Sequence, residues 1–173
     1  MKKLLLLGAF ALFGGAAHAQ EGFKLGGHIG APVGDASKYS PFTFGIDGAY
    51  MWNIAKNFDL GVATGYSHFV GKDYDYRGGR YKSEDFGYIP VAVSGKYSFA
   101  KAPIFVGLDL GYGISVKDGM DGGLYAQPKF GYQKNNMELY IGYQTIGSRR
   151  DFERERIDNN FGAINFGINF YLK

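Results

Sequence analysis

The chain contains no cysteine, which removes thiolate catalysis, disulfide scaffolds and zinc–cysteine centres together. Charge is sparse: Asp, Glu, Lys and Arg make up 20% of the 173 residues, too few for a disordered polyelectrolyte. Beyond the N-terminal segment no run approaches the ~18 apolar residues that a membrane-crossing helix needs. No segment carries a convincing 3.6-residue periodicity either. What the chain has in quantity is glycine and aromatic rings: 28 Gly, 15 Phe and 14 Tyr. Glycine at this level is more than double ordinary usage, yet the triplet repeat of collagen is missing. The length suits one domain.

The N-terminus reads as an export leader. Met1-Lys2-Lys3 is a positive n-region, Leu4 to Ala17 is an apolar stretch, and Ala17-His18-Ala19 fits a small-x-small cleavage site. The alternative, a membrane anchor, is disfavoured by the shortness of the stretch. The expected division is a Sec signal peptide over 1–19 and a single domain over 20–173. Without Lys2 and Lys3 the 19 basic residues fall to 17 against 16 acidic, a formal net of +1. A nucleic-acid partner loses its main support with them.

The rest of the chain alternates with period two in eight segments bounded by Gly, Pro, Asn or charged clusters. The spacing predicts strands over about 23–31, 42–52, 58–70, 86–99, 104–115, 124–133, 138–146 and 161–172. One parity is apolar and uncharged: Phe42, Phe44, Ile46, Tyr50 and Trp52 in the second strand, Ile104, Val106, Leu108, Leu110 and Tyr112 in the fifth. The other parity is small and polar, as in Asp59, Gly61, Ala63, Gly65 and Ser67.

Alternation alone does not say which face points inward. A soluble eight-stranded barrel would keep the apolar parity inside, whereas a membrane barrel turns it toward lipid. Two observations decide for the membrane barrel. The polar parity is mostly Gly, Ala, Ser and Asn, which suits a cramped interior rather than open water. The apolar parity holds more large rings than an eight-stranded interior can accommodate. The connections agree: 53–57, 100–103 and 134–137 are short, whereas 71–85 and 147–160 are long and polar, the periplasmic and extracellular ends of an outer-membrane barrel. Tyr50, Trp52, Phe58, Tyr97, Phe99, Tyr132 and Phe170 fall at the short-turn ends, where an aromatic girdle belongs. The expected fold is all-β: an eight-stranded antiparallel up-and-down transmembrane β-barrel.

Two stretches carry a family likeness. Tyr88-Ile89-Pro90-Val91-Ala92-Val93 followed by Gly95-Lys96-Tyr97-Ser98-Phe99 is similar to an aromatic-x-Pro-Leu strand ending in Lys-Tyr-x-Phe. The last strand, Asn165 to Leu172, matches the polar-x-Gly-x-x-apolar-x-apolar signal read by barrel-assembly machinery, with Asn165, Gly167, Phe170 and Leu172 at its key positions. The chain resembles the small outer-membrane barrels of the OmpA-transmembrane-domain and OmpX-like group, within it the "outer membrane protein β-barrel domain" family that includes PorT-like proteins. The resemblance implies an integral outer-membrane location, lipid and lipopolysaccharide as surroundings, and the assembly machinery as a partner in biogenesis. It departs at Lys173, where many such proteins end on an aromatic.

Catalytic and metal residues are not expected. Lipid A-modifying barrels need a His with a Ser and an acid near the outer rim. Ser67 and His68 are sequence neighbours and so point to opposite faces. His28 has no hydroxyl at adjacent same-face positions, so it reads as a hydrogen-bonded lumen histidine, with a Ser from another strand as the open alternative. Asp73-Tyr-Asp75 and Asp118-Gly-Met-Asp121-Gly lack calcium-loop spacing. The glycines from 107 to 113 follow no strand-to-helix pattern and are no phosphate loop.

The lumen parity holds Lys24, Lys96 and Lys129 against Asp47, Asp59, Asp109 and Glu138, charges that a narrow interior tolerates only when paired. These are expected to form a polar network weighted to the periplasmic half. Two loops read as candidate interaction surfaces, one with Tyr74, Tyr76, Arg77, Arg80 and Tyr81, the other with Arg149, Arg150, Arg154 and Arg156. Tyr and Arg are enriched at recognition surfaces, and Arg suits phosphate; a merely solvated mixed-charge loop is the competing reading. The expected role is structural or adhesive, for a monomer without cofactor. The alternatives are a porin-like small-solute channel and, behind it, a lipid A-modifying enzyme.

Overall fold

The computed structural model describes residues 22–76, 79–117, 122–152 and 155–172, and of 73–82 and 148–160 only the backbone. The leader expected at 1–19, Asp118, Asp121, Arg77, Arg154 and Lys173 lie outside the described residues.

The alternating segments form the strands β1 (Gly22–Gly34), β2 (Phe42–Ala55), β3 (Phe58–Val70), two short strands β4 (Asp73–Tyr76) and β5 (Gly79–Lys82), then β6 (Phe86–Ser98), β7 (Ile104–Ser115), β8 (Gly123–Lys134), β9 (Met137–Phe152) and β10 (Glu155–Leu172). Eight of them close into one antiparallel barrel in the order β1-β2-β3-β6-β7-β8-β9-β10, and β10 returns to β1 from Phe23↔Leu172 to Gly34↔Phe161. Closure leaves no free edge, which is the condition for burying a sheet in lipid. No helix among the described residues is long and apolar enough to cross a membrane; the crossing is made by strands.

The faces lie as the parity requires. Ile46, Val62, Val91, Leu110, Leu124 and Phe166 project outward, with Leu124 71% exposed. Lys24, His28, Asp109, Gln127, Glu138, Gln144 and Asn165 are buried inside. A continuous apolar belt on the outside of a closed sheet is the surface of a membrane barrel. Two prolines interrupt the ladders because they lack an N–H. The β3–β6 pairing jumps from Thr64↔Val91 to Ser67↔Tyr88 around Pro90, and the β8–β9 pairing from Ala126↔Thr145 to Lys129↔Gly142 around Pro128. At the first gap the Thr64 hydroxyl donates to the Pro90 carbonyl at 2.9 Å.

The short connections are tight turns, with Asn57 and Asn135 in the left-handed region at φ 67° and 55°, a conformation Asn tolerates better than most residues. The long connections differ from the sequence expectation. The segment 147–160 is not a loop: β9 and β10 stay paired from Gly147↔Asn160 to Phe152↔Glu155, so the last two strands run past the barrel as one hairpin. Each added pair extends an existing ladder without a new loop-closure cost, and alternating charges suit a ribbon with water on both faces. Within 71–85 lies the separate ribbon β4–β5, with Tyr74 opposite Tyr81 and Asp75 opposite Arg80. One helical turn, α1 (Ala36–Tyr39), connects β1 to β2.

The interior is filled at the long-loop end by an apolar plug. Phe69, Phe86, Tyr88, Tyr125, Ile146 and Phe161 pack together with Ala36 of α1 beside them. Phe69 and Phe86 stack with centroids 4.8 Å apart, and Tyr88 meets Phe86 edge-on at 6.1 Å. The other half of the lumen is polar.

The outward belt makes a depth test. Leu108→Arg, on the outer wall of β7, is expected to cost about 2–4 kcal/mol in lipid. Urea unfolding in phospholipid vesicles measures it; Leu108→Phe should leave the midpoint nearly unchanged.

Candidate functional site

Three connected clusters occupy the polar lumen. The first, at the short-turn end, centres on Glu138. Its carboxylate accepts from Lys96 Nζ at 2.6 Å, Lys24 Nζ at 3.1 Å, the Tyr171 hydroxyl at 2.9 Å and Asn169 Nδ2 at 3.5 Å. Lys96 also lies 3.7 Å from Asp59 and over the ring of Phe105. Two ammonium groups and one carboxylate share a site that is almost dry, with the Glu138 side chain 1% exposed. Such a group holds only because every charge has a counter-charge and a hydrogen bond.

The second cluster stands on Asp109. Lys129 Nζ donates to one carboxylate oxygen and the Ser94 hydroxyl to the other, each at 2.6 Å. Lys129 lies over the ring of Tyr140, whose hydroxyl donates to Asp47 at 2.7 Å. Between these groups is a cavity of about 20 Å³, lined by Lys24, Asp47, Asp109, Gln127 and Lys129 among others. That is room for an ordered water, and Gln127 Nε2 is a buried donor without a protein partner.

The third cluster is the one the sequence left open. His28 Nδ1 lies 3.0 Å from both oxygens of Asp47, and its Nε2 lies 3.2 Å from the Ser67 hydroxyl. Ser67 is two strands away, but the strand between them carries Gly45 in register with both, His28↔Gly45 and Gly45↔Ser67. A Cβ at Gly45 would lie 2.5 Å from the imidazole, so only glycine lets the ring cross β2. Gly167 plays the same part for Tyr140, whose ring lies across it to reach Asp47.

The order Asp47–His28–Ser67 is that of an acid–base–nucleophile relay. Its surroundings are those of a structural network. The Ser67 side chain is held by Gln144 at 3.3 Å, Gln144 accepts from Asn165 at 2.8 Å, and Phe69 and Tyr88 close the lumen next to it. The cavity reaches Asp47 but is not lined by His28 or Ser67. Among the described residues no group of His, Asp and Glu is arranged to hold a metal ion.

All seven expected lumen charges, Lys24, Asp47, Asp59, Lys96, Asp109, Lys129 and Glu138, therefore lie inside and are paired. His68 lies on the outer face, as alternation requires, between the Tyr66 hydroxyl at 3.0 Å and Asp85 at 3.3 Å. Asp85 also accepts the Gly71 N–H at 2.9 Å, which ties the two ends of the 71–85 segment together. The expected assembly positions divide between the faces: Asn165 is buried, Gly167 lies under the Tyr140 ring, and Phe170 and Leu172 project outward. Of the surface candidates, Tyr74, Tyr76, Arg80 and Tyr81 stand on the β4–β5 backbone, and Arg149, Arg150 and Arg156 on the β9–β10 hairpin. Across the outer rim Lys117 reaches Glu84 at 2.6 Å, and this hydrogen-bonded ammonium holds the Glu84 carboxyl below its usual range.

Removing the hub of the first cluster tests the network. Glu138→Gln leaves two buried lysines without their shared counter-charge and is expected to destabilise the barrel by about 3–5 kcal/mol. Urea unfolding in vesicles reads the loss, and the double variant Glu138→Gln with Lys24→Met should recover part of it.

No protein-family model matches the chain, and no curated protein matches it. Solved structures do. The crystal structure of Neisserial surface protein A (NspA) superposes with a TM-score of 0.57 at 16% identity, over 87% of this chain and 97% of that one. Ail, the attachment invasion locus protein of Yersinia pestis, superposes with a TM-score of 0.52 at 13% identity, over 88% and 97%. A de novo designed transmembrane β-barrel gives 0.53 at 10% identity, over 91% and 100%. The fold is that of the small eight-stranded outer-membrane β-barrels.

Proposed function

We propose that this protein is an integral outer-membrane barrel, exported by a cleaved leader and inserted by the barrel-assembly machinery, whose role is surface interaction through the structures above its outer rim. The observation that carries this reading is the contrast between the two parts of the molecule. The lumen is filled by a plug and an ion network, whereas β4–β5 and the β9–β10 extension are paired ribbons outside the ladders that close the barrel. Their sequence is rich in Tyr and Arg, the composition of recognition surfaces and of phosphate ligands such as lipopolysaccharide. The likeness to Ail, named for attachment and invasion, supports the same direction. The barrel acts as a monomer and is non-catalytic.

The channel reading is weakened by the plug, since eight strands leave an interior that side chains fill. The enzyme reading is weakened by the burial of Ser67, which is 2% exposed beneath Phe69 and Tyr88.

Three measurements test the proposal. Cells displaying the barrel with 73–82 or 149–158 replaced by a short turn should lose self-aggregation or adhesion to immobilised lipopolysaccharide, while the purified variants still migrate differently on gels before and after heating. Purified protein in planar bilayers should give no steady open state, and a serine-directed fluorophosphonate should leave Ser67 unmodified. Unaltered adhesion together with ohmic channels of a single size would move the channel reading to first place; labelled Ser67 would revive the enzyme.

A further inference from the structure

The inner end of the barrel carries a charge pattern that neither the lumen network nor the outer ribbons explain. Each of the three short turns has one lysine, Lys56, Lys101 and Lys134, and no acid. All three are exposed, and none has a carboxylate partner among the described residues. Among the described residues the acids at this end face the lumen and are engaged there: Glu138 by Lys24 and Lys96, Asp59 by Lys96 and by Asn53 Nδ2 at 2.8 Å. At the outer rim two of the lysines are paired, Lys38 with Asp35 at 2.8 Å and Lys117 with Glu84 at 2.6 Å, and acids stand among the lysines there.

The placement repeats from turn to turn. Lys56 follows Ile54 by two residues, Lys101 follows Phe99 by two, and Lys134 follows Tyr132 by two. Ile54, Phe99 and Tyr132 are exposed on the outer wall at 56%, 41% and 39%. Each lysine therefore stands one step past the apolar belt, at the depth where lipid headgroups begin. The turns are fixed in position by a repeated backbone bond. The Asn57 carbonyl accepts from Ser98 N, Pro103 from Gln133 N and Asn136 from Tyr171 N, each at 2.8 Å. Successive turns are two strands apart, about 10 Å at a spacing of ~4.8 Å per strand. That exceeds the Debye length of ~8 Å in physiological salt, so the lysines repel one another little.

We infer that this ring of lysines is a docking surface for anionic phospholipid headgroups, such as phosphatidylglycerol, in the leaflet that meets the short turns. The inference rests on the reading that the barrel spans a membrane with these turns on its inner side. Lipid is favoured over a soluble polyanion because every lysine adjoins a residue of the apolar belt. A rigid ring with one ammonium per turn fits separate headgroups around the barrel rather than one large ligand.

Electron spin resonance of spin-labelled lipids on the reconstituted barrel tests this. Selectivity for phosphatidylglycerol over phosphatidylcholine should fall about fivefold at each site whose lysine is replaced by Gln, so K56Q/K101Q/K134Q should lose about fivefold at all three and the single variants a part of that. It should also weaken with added salt. The triple variant K38Q/K72Q/K117Q at the outer rim should leave it unchanged. Equal selectivity in wild type and K56Q/K101Q/K134Q, or an equal loss from the outer-rim triple, would overturn the inference. So would a ring variant that loses binding to soluble acidic cell-wall fragments while keeping its lipid selectivity. Loss of the heat-dependent gel shift in wild type would count instead against the membrane barrel itself, which separates the two failures.

Discussion

Closing eight strands fixes the radius of the wall, and every interior feature follows from the small volume that remains. A long side chain can reach across its neighbouring strand only where that strand has no side chain, which is why Tyr140 lies over Gly167 and His28 over Gly45. The abundance of glycine is the complement of the abundance of aromatics. The same limit excludes bulk water, so charges on the inner face must find one another. Glu138 takes two lysines, Asp109 takes Lys129 and a serine, and Asp47 takes a tyrosine and a histidine. The likeness to a designed transmembrane barrel at 10% identity shows that the fold is shared where few residues are.

The division of the lumen is also one of chemistry between its two ends. The apolar plug sits at the end where the connections are long, with α1 packed beside it. The ion network sits toward the end where the turns are short. The charges are held by one another and by hydrogen bonds, and the rings by their mutual packing, so each half is satisfied within itself.

Much of this was legible in the sequence, for a specific reason. Period-two alternation records a strand one residue at a time, and the smallness of one parity records which side is confined. The lumen positions of Lys24, Asp47, Glu138 and the other charges follow from parity alone. Parity does not record which residues meet across strands. The approach of Ser67 to His28 depends on register and on Gly45 between them, and register is set by turn geometry that the one-dimensional pattern only bounds. Phe86, Tyr88, Ile146 and Phe161 share the inner parity, but their assembly into a plug needs the strands in order. The hairpin beyond residue 147 was hidden because Arg, Asp and Glu in water leave no apolar signature, although their backbone pairs as regularly as any in the wall.

The turn carbonyls of Asn57, Pro103 and Asn136 have one more consequence. Ser98, Gln133 and Tyr171, which donate to them, end the second strands of the three hairpins whose own connections lie at the opposite, outer end. The alignment of those hairpins is therefore checked at the inner rim, far from the segments that join them. An outer segment can lengthen, shorten or change sequence without dragging its strands out of step. A molecule built this way can vary what it presents to the outside while its wall stays the same.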